Sequence, residues 1–320
     1  MTPSTPNAHL GPDAVRSVSP VTLPAPGRAV DLQMRISAPV TGSGLPVVLL
    51  SHGQGSSNHL SSLEGYAPLA KAFASRGFVV IQPTHLSSPT LKLDPTDPEA
   101  PLYWRSRALD MTRILDHLGA IEAAVPDLRG RLDADRVAVV GHSMGGHTAS
   151  LLLGARLIDP QSSSEVDLRD ARIRAGVVLA APGRGGDALT EYVRERWPFF
   201  ITMDFSTMST PALVVAGDQD PSTFLTVMGP DWHADPYHLA PGPKSLLTVF
   251  GGEHGLGGIS GWDVAETTDE DPARVAAVAA LSAAWIRSQL YPGDPAWADA
   301  CRALTTGPAA VGRVAFKPAA

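Results

Sequence analysis

Residues Arg136 to Ala149 read RVAVVGHSMGGHTA: a mostly apolar, β-branched run leads into a serine flanked by glycines, and small residues of helical character follow. Gly141 and Gly145 weaken any strand or helix that contains them, so local stability is given up to leave room around Ser143. A strand, a sharp turn carrying the serine and a helix form the context in which G-x-S-x-G acts as a nucleophile elbow. Gly141-His142-Ser143-Met144-Gly145 fits that pattern, and Gly146 lets the helix come close to its neighbours. The competing reading is a structural glycine turn with an incidental serine. The start of the helix also gathers unpaired backbone N–H groups beside Ser143, which suits an oxyanion.

Working outward, the same kind of apolar run recurs as LPVVLLSHG (45–53), GFVVIQPTH (77–85), IRAGVVLAAP (173–182), PALVVAGDQD (211–220) and KSLLTVFGGEHG (244–255), each ending in a polar or glycine-rich turn. Strands apolar on both faces belong to a buried parallel sheet. Helical spacing fills the intervals at 62–77, 103–121 and 145–158, and again at 272–290, where Pro272 suits a first helical turn. The alternation predicts an α/β fold with a mostly parallel central sheet and helices on both faces. Two extended segments, Val15 to Leu23 and Val30 to Ala38, flank the turn-forming PAPG and predict a hairpin at a sheet edge. Residues 1–14 read as a mobile tail, 15–290 as one domain and 291–320 as an extension with no assigned role. The stretch 183–210 is long for a connection and rich in Trp197, Phe199, Phe200, Met203, Phe205 and Met208. It is either a short cap whose Trp197, Phe199 and Phe200 line an apolar pocket or an ordinary helix packed on the core.

A serine hydroxyl needs a base to take its proton and an acid to orient that base; after such an elbow they follow in the order Asp or Glu, then His. Four histidines come after Ser143: His147, His233, His238 and His254. His147 lies one turn into the elbow helix, and His233 and His238 sit in an irregular stretch. His254 directly follows a strand within GGEHGLGG, at the sheet edge where sites form. As the acid, Asp220 lies far enough beyond Gly217 to turn back towards an imidazole, whereas Asp218 reads as a turn residue and Glu253 as a solvated neighbour of the base. The loop SHGQGSSNHLSS (51–62) should supply half of an oxyanion hole, with the backbone N–H of Gln54 joining that of Met144. His52 reads as a structural histidine. His142 and Trp104 read as pocket walls or, equally, as core.

The chain of 320 residues is 44% hydrophobic and 18% charged, with a net charge of -7 and both signs interspersed. Length and composition allow a full core, and the absence of a basic cluster excludes nucleic acid as an expected partner. No apolar run reaches a membrane span, and the first twenty residues lack the basic start and apolar middle of a signal peptide. Cys301 is the only cysteine, so no intrachain disulfide forms. A cytoplasmic location is the resulting expectation, although a processed exported form would read the same.

SHGQG after the first core strand, GHSMGG at the elbow, AGDQD for the acid and GGEHG for the base resemble the α/β-hydrolase superfamily. Within it, they resemble the dienelactone-hydrolase-like branch that includes chlorophyllase-like, platelet-activating-factor-acetylhydrolase-like and polyester-hydrolase-like serine esterases. The resemblance covers about Leu45 to Leu290. It implies hydrolysis of carboxylic esters through an acyl-enzyme, with Ser143 as nucleophile, His254 as base then acid, Asp220 orienting it and the amides of Gln54 and Met144 holding the oxyanion. No metal or organic cofactor is implied. Dienelactone hydrolases use a cysteine where this chain has Ser143, which points to ordinary esters. The disulfide that secreted cutinase-like enzymes often carry is absent, which weighs against an extracellular polymer. The expected substrate is a small or medium, fairly apolar ester or lactone; the alternatives are amide or peptide hydrolysis with the same triad and a catalytically silent binding protein that keeps the fold.

Overall fold

A computed structural model describes residues 14–262, 264–306 and 310–319. The N-terminal tail expected over 1–14 lies outside the described residues except for Ala14. Strands β1 (Val15–Leu23) and β2 (Leu32–Pro39) form the expected hairpin. They are followed by β3 (Leu45–Ser51), helix α1 (Ala67–Ala74), β4 (Val79–Pro83), α2 (Trp104–Asp116), α3 (Leu118–Ala124), β5 (Leu132–His142) and α4 (Met144–Leu152). A small antiparallel pair, β6 (Arg156–Ile158) and β7 (Glu165–Asp167), stands apart from the main sheet. Then come β8 (Ile173–Leu179), α5 (Glu191–Arg196), β9 (Ala212–Gly217), α6 (Asp235–Leu239), β10 (Lys244–Val249), α7 (Pro272–Leu290), α8 (Ala296–Thr306) and β11 (Gly312–Lys317).

Nine strands make one sheet in the order β1-β2-β4-β3-β5-β8-β9-β10-β11. The six central strands run parallel, and antiparallel pairs close both ends. Side chains alternate across each central strand. Val47, Leu49, Val137, Val139 and Val214 join the core layer beneath α2, α3 and α4. Val48, Leu50, Ala138, Val140 and Val215 join the opposite layer beneath α1 and α7. Continuous apolar strands follow directly from this two-sided burial. Asp271 caps α7, its carboxylate accepting from the N–H groups of Ala273 and Arg274 at 2.8 and 3.2 Å.

Two local readings change. The helix expected over 103–121 breaks at His117, whose φ of -121° interrupts the helical path between α2 and α3. The expected helix after the elbow ends at Leu152, because GARLI leaves through Gly154 at φ +109° and continues as β6. Of the described residues after Leu290, whose role was left open, Trp297 of α8 meets Trp285 of α7 edge-on at 5.2 Å, and β11 adds an antiparallel strand to β10. No helix among the described residues is long and apolar enough to cross a membrane.

Candidate active site

Four parallel strands deliver the site. β3 ends before Gln54, β5 at Ser143, β9 before Asp220 and β10 before His254, all at the carboxyl edge of the sheet. The glycines at the elbow are steric requirements. A Cβ on Gly141 would lie 1.9 Å from the Gly145 oxygen, one on Gly145 2.1 Å from the Ser51 oxygen, and one on Gly146 2.6 Å from Ala181 Cβ. Ser143 itself sits at φ 55°, ψ -120°, a sparsely populated conformation that costs on the order of 1–3 kcal/mol and is held by its surroundings.

Ser143 Oγ donates to His254 Nε2 at 2.9 Å, and His254 Nδ1 donates to Asp220 Oδ2 at 2.7 Å. Asp220 Oδ1 accepts from Ser222 Oγ at 2.8 Å. His233 meets the same carboxylate oxygen as His254, with Nε2 at 3.0 Å from Oδ2 and 2.8 Å from Ser222 Oγ, while its Nδ1 donates to the Ala181 carbonyl at 2.8 Å. Burial alone would raise the Asp220 carboxyl, but hydrogen bonds from His233 and His254 outweigh it and hold the group far below the usual carboxylate range. Asp220 is therefore ionised wherever the protein is folded near neutral pH. Asp220, His233 and His254 are also the one grouping among the described residues whose ligand atoms lie close enough for a metal, within 4.8 Å of one another. Those atoms are already committed to hydrogen bonds.

Asp218 turns the other way. Its Oδ1 accepts from Gly251 N at 2.7 Å, and Gln219 N donates to the Gly252 carbonyl at 2.9 Å, so the turn carrying Asp220 is sewn to the turn leading to His254. Gln54 and Met144 both border the cavity beside Ser143. Met144 opens α4, where the N–H has no helical partner. The Gln54 side chain is pinned at both ends, Nε2 to the Ser87 carbonyl at 3.2 Å and Oε1 to Arg107 at 3.1 Å.

Above Ser143 opens a cavity of about 550 Å³ walled by Pro101, Leu102, Pro182, Trp197, Phe200, Phe224 and Leu225. Trp197 and Phe200 thus line it, and three other expected wall residues do not. Trp104 stacks on Phe199 at 5.6 Å between ring centres, and both are buried in the core layer under the wall. Phe199 faces inward, where its ring packs against Trp104 and His147. His142 is fully enclosed: its Nε2 donates to the His254 carbonyl at 2.7 Å and its Nδ1 accepts from Tyr66 Oη at 2.6 Å. Its flank of the elbow faces the interior. The stretch 183–210 accordingly forms one wall of the cavity while Met203, Phe205 and Met208 fill the core. His147 is buried against Phe199 and Phe200, away from the serine–histidine–aspartate chain.

Sequence reading passed over Tyr66, Arg107 and Ser222. Arg107 carried a signal, since it falls on the buried stripe of α2 with Ala108, Met111 and Ile114, where a charge has no ordinary place.

A model described as the alpha/beta hydrolase family matches residues 47–316. The chain is 29% identical over 189 residues to Cutinase 1 of Thermobifida cellulosilytica, covering 58% of this chain and 53% of that protein. It is also 29% identical over 189 residues to a cutinase of Thermobifida fusca (strain YX), covering 58% of this chain and 46% of that protein. The chain thus spans about half the length of the curated relatives it matches.

Proposed function

The chain belongs to the alpha/beta hydrolase family, and we propose that it is a serine hydrolase cleaving carboxylic esters through an acyl-enzyme. The observation that carries the reading is the unbroken hydrogen-bonded chain from Ser143 through His254 to Asp220. Ser143 Oγ attacks the ester carbonyl as its proton passes to His254 Nε2, and the carbonyl π pair moves onto the oxygen. The backbone N–H groups of Gln54 and Met144 receive that oxyanion. As the intermediate collapses, the carbonyl re-forms, the alcohol departs and His254 returns the proton to it. Water, activated by the same imidazole, then attacks the acyl-enzyme and Ser143 leaves with its proton restored. Asp220 keeps the proton of His254 on Nδ1 and steadies the imidazolium.

The apolar walls support an apolar acyl or alcohol group of small or medium size, with Trp197, Phe200, Leu102 and Phe224 as contact surfaces. The reading is in keeping with the similarity to two cutinases. Hydrolysis of a p-nitrophenyl ester series, acetate to long acyl chains, by the native protein and by Ser143→Ala tests it. Activity that disappears in the variant is the expected result; a native protein inactive on every ester, or a variant equally active, removes the proposal.

A further inference from the structure

Arg107 projects from α2 into the interior and is fully buried, yet among the described residues no carboxylate pairs with it. Asp110 acts on it only through space, its carboxylate being bonded to Arg28 and His85 instead. Every bond described for the guanidinium goes to a neutral oxygen. Nε donates to the Leu102 carbonyl at 3.1 Å, Nη1 to the His52 carbonyl at 2.7 Å, and Nη2 to Ser87 Oγ at 2.7 Å, Gln54 Oε1 at 3.1 Å and the Gly53 carbonyl at 3.3 Å. Burying a charge with no carboxylate bonded to it costs several kcal/mol, and a leucine or methionine would fill this stripe of α2 without that cost. The geometry must return something that an apolar residue could not supply.

The Gly53 carbonyl identifies it. His52 Nε2 accepts from the main-chain N–H of His85 at 3.1 Å, so the His52 proton is on Nδ1, which donates to the same Gly53 oxygen at 2.7 Å. Tyr66 Oη accepts the N–H of Gly53 at 3.0 Å, so that residue is held at both its backbone groups. The carbonyl of Gly53 and the N–H of Gln54 belong to one trans peptide and point in opposite directions. Anchoring the oxygen therefore aims the N–H. A cation at the oxygen end also polarises the unit and makes that N–H a stronger donor.

We propose that Arg107, acting with His52, is a positioning residue of the oxyanion hole: it clamps the Gly53–Gln54 peptide so that the Gln54 N–H meets the developing oxyanion. The proposal rests on the ester-hydrolase reading above, in which Gln54 supplies one of the two donors. It also explains why a charge stands on the buried face of α2, since the clamp reaches three successive residues of the oxyanion loop from one rigid helix.

The test compares native protein with Arg107→Met and Arg107→Lys on p-nitrophenyl butyrate, together with inhibition by phenylboronic acid, which forms a tetrahedral adduct on serine. Arg107→Met is expected to lose about 10²-fold in kcat, the loss that follows a misplaced or missing oxyanion donor. KM should stay within about threefold and the boronate Ki should rise in parallel with the kcat loss. Arg107→Lys should recover part of the loss. A folded Arg107→Met whose kcat and boronate Ki remain within about threefold of native, with only its melting temperature lowered, overturns the proposal. If Arg107→Met does not fold, His52→Asn and His52→Leu carry the test. Asparagine places a donor where Nδ1 stood and should keep a larger share of the native kcat than leucine, which should lose more than about tenfold, and equal kcat in the two overturns the clamp. Phosphonylation of Ser143 by a p-nitrophenyl phosphonate separates this from failure of the ester reading. A native protein that turns over no ester, yet is phosphonylated faster than the Arg107 variant, removes the ester reading and keeps the clamp.

Discussion

His142 Nε2 donates to the main-chain carbonyl of His254 at 2.7 Å, so the residue preceding the elbow serine holds the backbone of the proposed base. The chain of bonds continues through Tyr66, whose hydroxyl donates to His142 Nδ1 and accepts from Gly53 N. Burial, reinforced by the neighbouring His254, lowers His142 to about 3 and keeps it neutral. His142→Ala is expected to lower kcat about tenfold to 10²-fold, as loss of a group supporting a site residue commonly does. His142→Gln, whose amide nitrogen reaches the position of Nε2, should retain most of the activity. Equal rates for the two variants in a p-nitrophenyl ester assay would deny His142 this role.

The two aspartates of the acid turn should separate cleanly. Asp220→Asn removes the acceptor that sets the tautomer of His254 and should lower kcat about 10⁴-fold. Asp218→Asn weakens only the bond to Gly251 N and should act mainly on the melting temperature. Because the Asp220 carboxyl is held below its unfolded value, its contribution to stability is complete above about pH 4 and is lost as pH falls through the folded pKa. No acid limb in the rate profile above about pH 5 should trace to Asp220. A pH series of kcat for the native protein, its denaturant midpoints at falling pH, and steady-state rates and melting temperatures for both variants check these statements.

Acid should unfold this protein through its buried histidines. Burial lowers His142 and His147 to about 3, with the charge of Arg107 adding to the effect at His147. Burial likewise lowers His52 and His85 well below the ordinary value. Below about pH 6.5 the unfolded chain takes up protons that these folded rings refuse, so stability falls as pH falls, by on the order of 1 kcal/mol per pH unit for each. Denaturant midpoints between pH 7.5 and 4.5 measure the slope. His147 is the informative variant, since neither ring nitrogen has a hydrogen-bond partner among the described residues. His147→Leu should raise stability at neutral pH and flatten the acid slope; an unchanged slope would contradict it.

Trp197 and Phe199 are close in sequence and opposite in consequence. Trp197 borders the cavity and touches the exposed ring of Phe224 edge-on at 5.7 Å. Trp197→Ala should shift the preferred acyl length with little change in melting temperature. Phe199→Ala opens a hole beneath Trp104 and His147 and should cost about 3–5 kcal/mol, with the acyl-length profile unchanged. Paired thermal melts and ester-series kinetics decide it, and a shared effect on both readouts would merge the two roles.

Much of this was legible in the chain itself. Apolar runs ending in glycine-rich turns declare a buried parallel sheet, since a strand enclosed on both faces has no polar position to offer. The elbow at Ser143 is legible because close backbone approach admits only glycine at Gly141 and Gly145. The candidates Asp220 and His254 followed from chain order and strand ends. These are local constraints, and local constraints are written in contiguous residues. What only the tertiary structure decided concerns residues distant in sequence. Arg107 meets Gly53 across 54 positions and His142 meets His254 across 112. The direction in which His142, Trp104 and Phe199 face depends on which helix or loop packs over them. A buried polar group must find its partner wherever folding places one, and no spacing along the chain encodes that meeting.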